Sequence, residues 1–94
     1  MVTDTQQLHA IVRGLVQGVN FRSSTVAQAR RLRLTGWVRN NADGSVEVVA
    51  EGPRSDLDKL LEFLHRGPAG AHVIEVQPDW RAAVKSLNQF EVRW

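Results

Sequence analysis

Leu8-His9-Ala10-Ile11-Val12-Arg13 runs directly into Gly14-Leu15-Val16-Gln17-Gly18-Val19-Asn20-Phe21-Arg22. Leu8, Ala10 and Val12 alternate with His9, Ile11 and Arg13, the period-two pattern of a strand. The nine residues from Gly14 form a glycine-bounded turn that leads from this strand into a helix and ends on an arginine. Such a turn can line up several backbone N–H groups toward one point, making a concavity for an anion. The helix that follows adds its free N–H groups and the positive end of its dipole. Arg22 adds a planar guanidinium that matches phosphate or carboxylate oxygens two at a time. The local physics reads as an oxyanion or phosphate cradle.

Outward from this stretch, Phe21 to Leu34 reads as a helix with Phe21, Thr25, Ala29 and Leu32 along one stripe, ended by Thr35-Gly36. Trp37 to Asn40 is a short strand, Asn41-Ala42-Asp43-Gly44 a hairpin turn, and Ser45 to Glu51 a strand with Val46, Val48 and Ala50 on one face. Gly52-Pro53 breaks that strand. Leu57, Leu60, Leu61 and Leu64 give Ser55 to Arg66 the clearest helical spacing, with Ser55 as N-cap and Gly67-Pro68 as the stop. His72 to Trp80 reads as a strand that Pro78 ends early, Arg81 to Asn88 as a polar connection, and Phe90 to Trp94 as a final strand. The order predicts an α+β, ferredoxin-like βαββαβ sandwich: an antiparallel sheet with two helices on one face, plus a short C-terminal strand. Its crossovers put the first and third strands side by side in the middle.

The chain has 94 residues, of which 43% are hydrophobic, enough for one domain over 1–94 with a modest core. It has no cysteine, which excludes disulfides, zinc thiolate sites and cysteine nucleophiles. Met1 to Gln7 is polar and no run is apolar enough for a signal peptide or a membrane span, so a cytoplasmic protein is the default. Net charge is only +2, and the densest basic cluster, Arg30, Arg31 and Arg33, fits a solvated helix face.

Gly14 to Arg22 resembles the signature loop of the acylphosphatases, in which a glycine, Val-Gln-Gly-Val and Phe-Arg keep this order. A second block, Gly36-Trp37-Val38-Arg39-Asn40-Asn41-Ala42-Asp43-Gly44-Ser45-Val46-Glu47, is similar to that family's second signature. Two motifs in the right order are far more specific than a lone glycine pattern. One departure is Asn20, at a variable position. The resemblance implies a hydrolase of acyl phosphates, yielding a carboxylate and inorganic phosphate. It makes Arg22 the phosphate-binding arginine and Asn40 the residue that positions the attacking water. Leu15, Val16, Gln17, Gly18, Val19, Asn20 and Phe21 form the phosphate-binding loop. It implies a monomer acting on a small molecule, with no metal, cofactor, nucleic acid or membrane.

The chemistry agrees. An acyl phosphate leaves as a carboxylate and needs no strong general acid. Its loose transition state carries charge mainly on the phosphoryl oxygens, so positioning and electrostatics do most of the catalysis. Other residues have plainer readings. Val16, Val19 and Phe21 fit packing roles that hold the loop, and Ser23, Ser24 and Thr25 are helix-start hydroxyls. His9, His65 and His72 lack ligand spacing. Trp37, Trp80 and Trp94 read as core or edge packing, and Asp43 as a turn acid. Gln17 stays open between bracing the loop and touching the ligand.

Two rival functions remain. An RNA-binding module shares the βαββαβ order, but it stacks bases on aromatics of its two central strands. Leu8 to Arg13 and Ser45 to Glu51 have none. A non-catalytic phosphate-binding or regulatory module of the same fold is the other alternative.

Overall fold

The computed structural model describes residues 4–94; residues 1–3 of the polar start Met1–Gln7 lie outside the described residues. In chain order it has β1 (Thr5–Leu15), α1 (Phe21–Arg31), β2 (Thr35–Asn40), β3 (Val46–Pro53), α2 (Arg54–Arg66), β4 (His72–Ala82) and β5 (Phe90–Val92). The strands form one sheet in the order β4-β1-β3-β2-β5, so β1 and β3 are central as the sequence predicts.

The alternation in β1 and β3 builds the core. Leu8, Ala10 and Val12 pair in register with Ala50, Val48 and Val46, and all six are fully buried beneath the helices. From above, α1 contributes Phe21, Thr25, Val26 and Ala29, and α2 contributes Leu57, Leu60, Phe63 and Leu64. Each large apolar side chain so buried stabilises the fold by about 1.5–3 kcal/mol. Thr25 is the polar exception, and its hydroxyl donates to the Phe21 carbonyl at 2.8 Å.

Several boundaries differ from expectation, each for a local reason. β1 extends to Leu15, so Gly14 and Leu15 are strand residues. The pairing with β4 shifts between Arg13 and Gly14, where Gly14 has φ +132° and a Cβ would collide with the His72 carbonyl. α1 stops at Arg31 because Arg33 turns left-handed, and the Leu34 N–H then closes onto the Ala29 carbonyl. Pro53, in extended conformation, both ends β3 and caps α2, so Ser55 sits inside the first turn and is no cap. β4 continues past Pro78 to Ala82 because it is an edge strand, where a missing N–H is tolerated. β5 is shorter than expected, and it runs parallel to β2. β4 finishes at the end of the sheet where β1 begins. The connection crosses there to the opposite edge, leaving β5 to run back in the direction of β2.

Buried Glu51 holds that crossing connection in place on the sheet face away from the helices. Its carboxylate accepts the N–H groups of Val84 and Lys85 at 2.8 and 3.0 Å and the Gln7 amide at 2.7 Å. Burial alone would raise its pKa. The Val84, Gln7 and Lys85 hydrogen bonds, with the Lys85 charge, outweigh that and hold it below the usual carboxylate range.

Candidate active site

β3 is antiparallel to both β1 and β2, and β5 is parallel to β2. Three strands therefore run in one direction and deliver their C-terminal ends to one end of the sheet. There the loop after β1, the last residue of β2 and the residues after β5 enclose a cavity of about 430 Å³.

The loop supplies the donors. Among the described residues, the N–H groups of Gln17, Gly18, Val19 and Asn20 donate to no backbone carbonyl. Gly18 has φ +77°, and a Cβ added there would meet nothing within 4 Å, so the backbone faces open space. Asn20 turns left-handed at φ 62° as the N-cap of α1, with no side-chain cap bond and no acid in the first helical turn. Left-handed backbone is least costly at Gly and tolerated by Asn, which accounts for both residues. The N–H groups of the first helical turn thus have no internal anion to claim them, and Asn20, Phe21, Arg22 and Ser23 line the cavity.

Arg22 lines this cavity, and its Cζ lies 4.5 Å from the centre of the Trp94 ring. Arg13, Arg39, Arg54 and Arg81 all pair with carboxylates. Among the described residues Arg22 has no such partner. Asn40 ends β2 on the side of the sheet that carries buried Val38, facing the helices. Its Oδ1 is buried with no hydrogen-bond partner among the described residues, and Asn40 lines the same cavity. An unsatisfied buried carbonyl oxygen is costly, so it marks a place for a polar guest.

The expected loop residues divide into three groups. Gly18, Asn20, Val16 and Phe21 line the cavity with Arg22. Val16 and Phe21 are also only 1% and 2% exposed, with the Phe21 ring centre 6.3 Å from that of Phe63, so they form its apolar floor. Gln17 points elsewhere: its Nε2 donates to the carbonyls of Asn41 and Ser45, at 2.8 and 2.9 Å, and ties the loop to the β2–β3 turn. Leu15, 69% exposed, and Val19, packed against the core, lie outside the cavity lining. Ser23 lines the cavity while its hydroxyl donates to the Asn20 carbonyl; Thr25 is committed to Phe21.

The β2–β3 turn behind Asn40 is stiff. Asp43 accepts the Ser45 hydroxyl at 2.6 Å and the Ser45 N–H at 3.0 Å, and Arg13 donates to it at 3.1 Å. Those bonds, Ser45's first, hold the Asp43 carboxyl at about 2. Asp43 is a turn acid, as its sequence context suggests.

Trp94 was missed by sequence reading. It stands 92% exposed at the mouth instead of packing in the core or at an edge. The C-terminal approach to the site depends on the parallel β5, and no local pattern announces that. Among the described residues no group of three or more His, Asp or Glu side chains comes together, and no helix is long and apolar enough to cross a membrane.

The acylphosphatase family model matches residues 8–92. An acylphosphatase of Salinibacter ruber is 48% identical over 94 residues, covering 99% of each chain. The crystal structure of the Bacillus subtilis acylphosphatase superposes with a TM-score of 0.91 at 32% identity, over 95% of this chain and 99% of that one. The Coxiella burnetii acylphosphatase gives 0.89 at 41% identity, over 96% and 94%. With both signature blocks converging on one cavity, the chain belongs to the acylphosphatase family.

Proposed function

We propose that this chain hydrolyses the carboxyl–phosphate bond of small acyl phosphates, with the loop amides and Arg22 holding the phosphoryl group and Asn40 holding the attacking water. The observation that carries the reading is the buried, unpartnered Asn40 Oδ1 in the same cavity as the unpaired Arg22. A side-chain amide can both accept from and donate to a water, which suits orientation better than proton removal. The water oxygen bonds to phosphorus as the bond to the carboxylate oxygen breaks. The carboxylate leaves unprotonated, one water proton stays on the phosphate, and the other goes to solvent. The loop N–H groups, the α1 terminus and the guanidinium stabilise charge on the phosphoryl oxygens.

In this reading the chain is a single domain that works as a cytoplasmic monomer, without nucleic acid. β1 and β3 offer no Phe, Tyr or Trp for base stacking on the face away from the helices, and His9 there is engaged with Glu47 at 2.7 Å. Pro78, Glu75, Asp79 and Arg81 blunt the β4 edge against strand addition. Phosphate release from benzoyl phosphate, compared with p-nitrophenyl phosphate, tests the activity. Turnover of the acyl phosphate alone is expected. Equal turnover of the monoester, or none of either, contradicts the reading.

A further inference from the structure

The cavity is larger than a phosphoryl group. A water occupies about 30 Å³ of liquid, so a phosphoryl group takes roughly two or three times that, a minor part of the 430 Å³ here. The cavity lining is of two kinds: the buried Asn40 Oδ1 and Arg22 are polar, whereas Val16 and Phe21 in the floor and Val92 and Trp94 from the β5 end of the chain are apolar. Val16 and Phe21 are almost completely buried in the core, and Trp94 is the exposed apolar side chain of the four. Trp94 is 92% exposed, with Arg22 4.5 Å from its ring centre, and among the described residues no other cation or aromatic ring stacks on it. A bare indole at the mouth of a polar pocket is an unspent apolar surface.

We propose that Trp94, with Val92, forms the subsite for the acyl group and selects acyl phosphates whose acyl part is flat and apolar. This rests on the hydrolytic reading above. The placement fits the chemistry. Attacking and leaving oxygens lie roughly in line in phosphoryl transfer. A phosphoryl group held at Arg22 with its water at Asn40 has its acyl side turned away from Asn40, and the exposed indole beside Arg22 offers that side an apolar surface. An aryl group there stacks on the ring, whereas an acetyl group is too small to cover it.

The test compares kcat/KM for benzoyl phosphate and acetyl phosphate in the wild type, Trp94→Ala and Trp94→Phe, with inhibition by inorganic phosphate measured in each. In Trp94→Ala the benzoyl-to-acetyl ratio is expected to fall roughly three- to tenfold, the scale of one aromatic pair, with phosphate inhibition held. Trp94→Phe retains most of the ratio. An unchanged ratio overturns the proposal. So does an equal loss on both substrates together with weaker phosphate inhibition, because Trp94 then only positions Arg22. Wild-type protein inactive on both acyl phosphates overturns the hydrolytic reading itself, a result distinct from any change in ratio.

Discussion

The fold contains two strand-to-helix junctions, and they are built from similar parts. Each has an arginine at the start of its helix, and each arginine stacks on a tryptophan: Arg22 on Trp94 at 4.5 Å, Arg54 on Trp80 at 3.6 Å. Only one makes a cavity lined by loop amides. At the β3–α2 junction there is no loop. Pro53 leads straight into the helix, Asp56 lies in the first turn, and Arg54 is taken by Asp58 at 3.2 Å and Gln6 at 3.3 Å. At the β1–α1 junction five residues intervene, the loop N–H groups are unclaimed, and no acid stands in the first turn. An arginine at a helix start is therefore not a site by itself. The site arises where the chain withholds its own anion.

Removing the arginines one at a time breaks this comparison most sharply. Arg22→Ala is expected to lower kcat/KM by about a thousandfold or more, since a charge-assisted bidentate contact made in the transition state disappears. Arg22→Lys is also expected to fail badly, because a point charge does not reproduce the fork. Arg54→Ala, at the sealed junction, should leave kcat/KM within about twofold and cost only a modest amount of thermal stability. Steady-state rates on the three folded variants check this; comparable losses at both arginines would remove the distinction.

Asn40→Ala comes next. It is expected to lower kcat by about a hundredfold, the scale for one positioned polar group, while inorganic phosphate inhibits almost as before. If phosphate inhibition weakens in parallel, Asn40 belongs to the anion cradle and the water has another partner.

A third variant makes the first junction resemble the second. Ser23→Asp places a carboxylate in the first turn of α1 beside Arg22, as Asp56 stands in the first turn of α2 with Asp58, one turn on, paired to Arg54. The helix itself gains a few tenths of a kcal/mol from the acid near its N-terminus. Substrate binding should suffer, with KM rising about tenfold as the new carboxylate competes for the guanidinium. An unchanged KM with a stiffer helix would mean that the absent acid is incidental.

The smallest effect concerns the end of the sheet opposite the site, where Glu51 grips the connection to β5. Its folded pKa lies below its unfolded value, so its contribution is present above about pH 4.5, the unfolded value, and fades as pH falls through the folded one. Glu47, beside His9 at 2.7 Å and Arg39 at 3.0 Å, has the same direction: burial raises its pKa but those two partners lower it further. Urea midpoints measured from pH 6 to pH 3 should decline, and Glu51→Gln should flatten the decline. A midpoint that holds to pH 3 would contradict it.

These contrasts also show which features a sequence announces. The period-two runs of β1 and β3 and the leucine spacing of α2 report burial directly, because each depends on residues a few positions apart. Gly18 and Arg22 were legible for the same reason, since backbone freedom and charge belong to the residues themselves, whereas Asn20 read only as a departure and its left-handed turn at the start of α1 came from the structure. Gln17 was not settled by its neighbours, since its partners, Asn41 and Ser45, are reached only through the pairing of β2 with β3. Trp94 was illegible for a larger reason. Its place beside Arg22 follows from a strap that crosses the sheet and sends β5 back parallel to β2, a tertiary event with no local pattern. The cap of α2 was misread because Ser55 is a good capping residue that Pro53 pre-empts by two positions.

The central claim is that the open β1–α1 junction, and not the similar β3–α2 one, binds the phosphoryl group. Backbone amide shifts followed by NMR during titration with inorganic phosphate test it directly. Large shifts from Gln17 through Ser23, with those of Arg54 through Leu57 unmoved, are the predicted result. A titration that moves both junctions alike, or leaves Gln17 through Ser23 still at saturating phosphate, contradicts it.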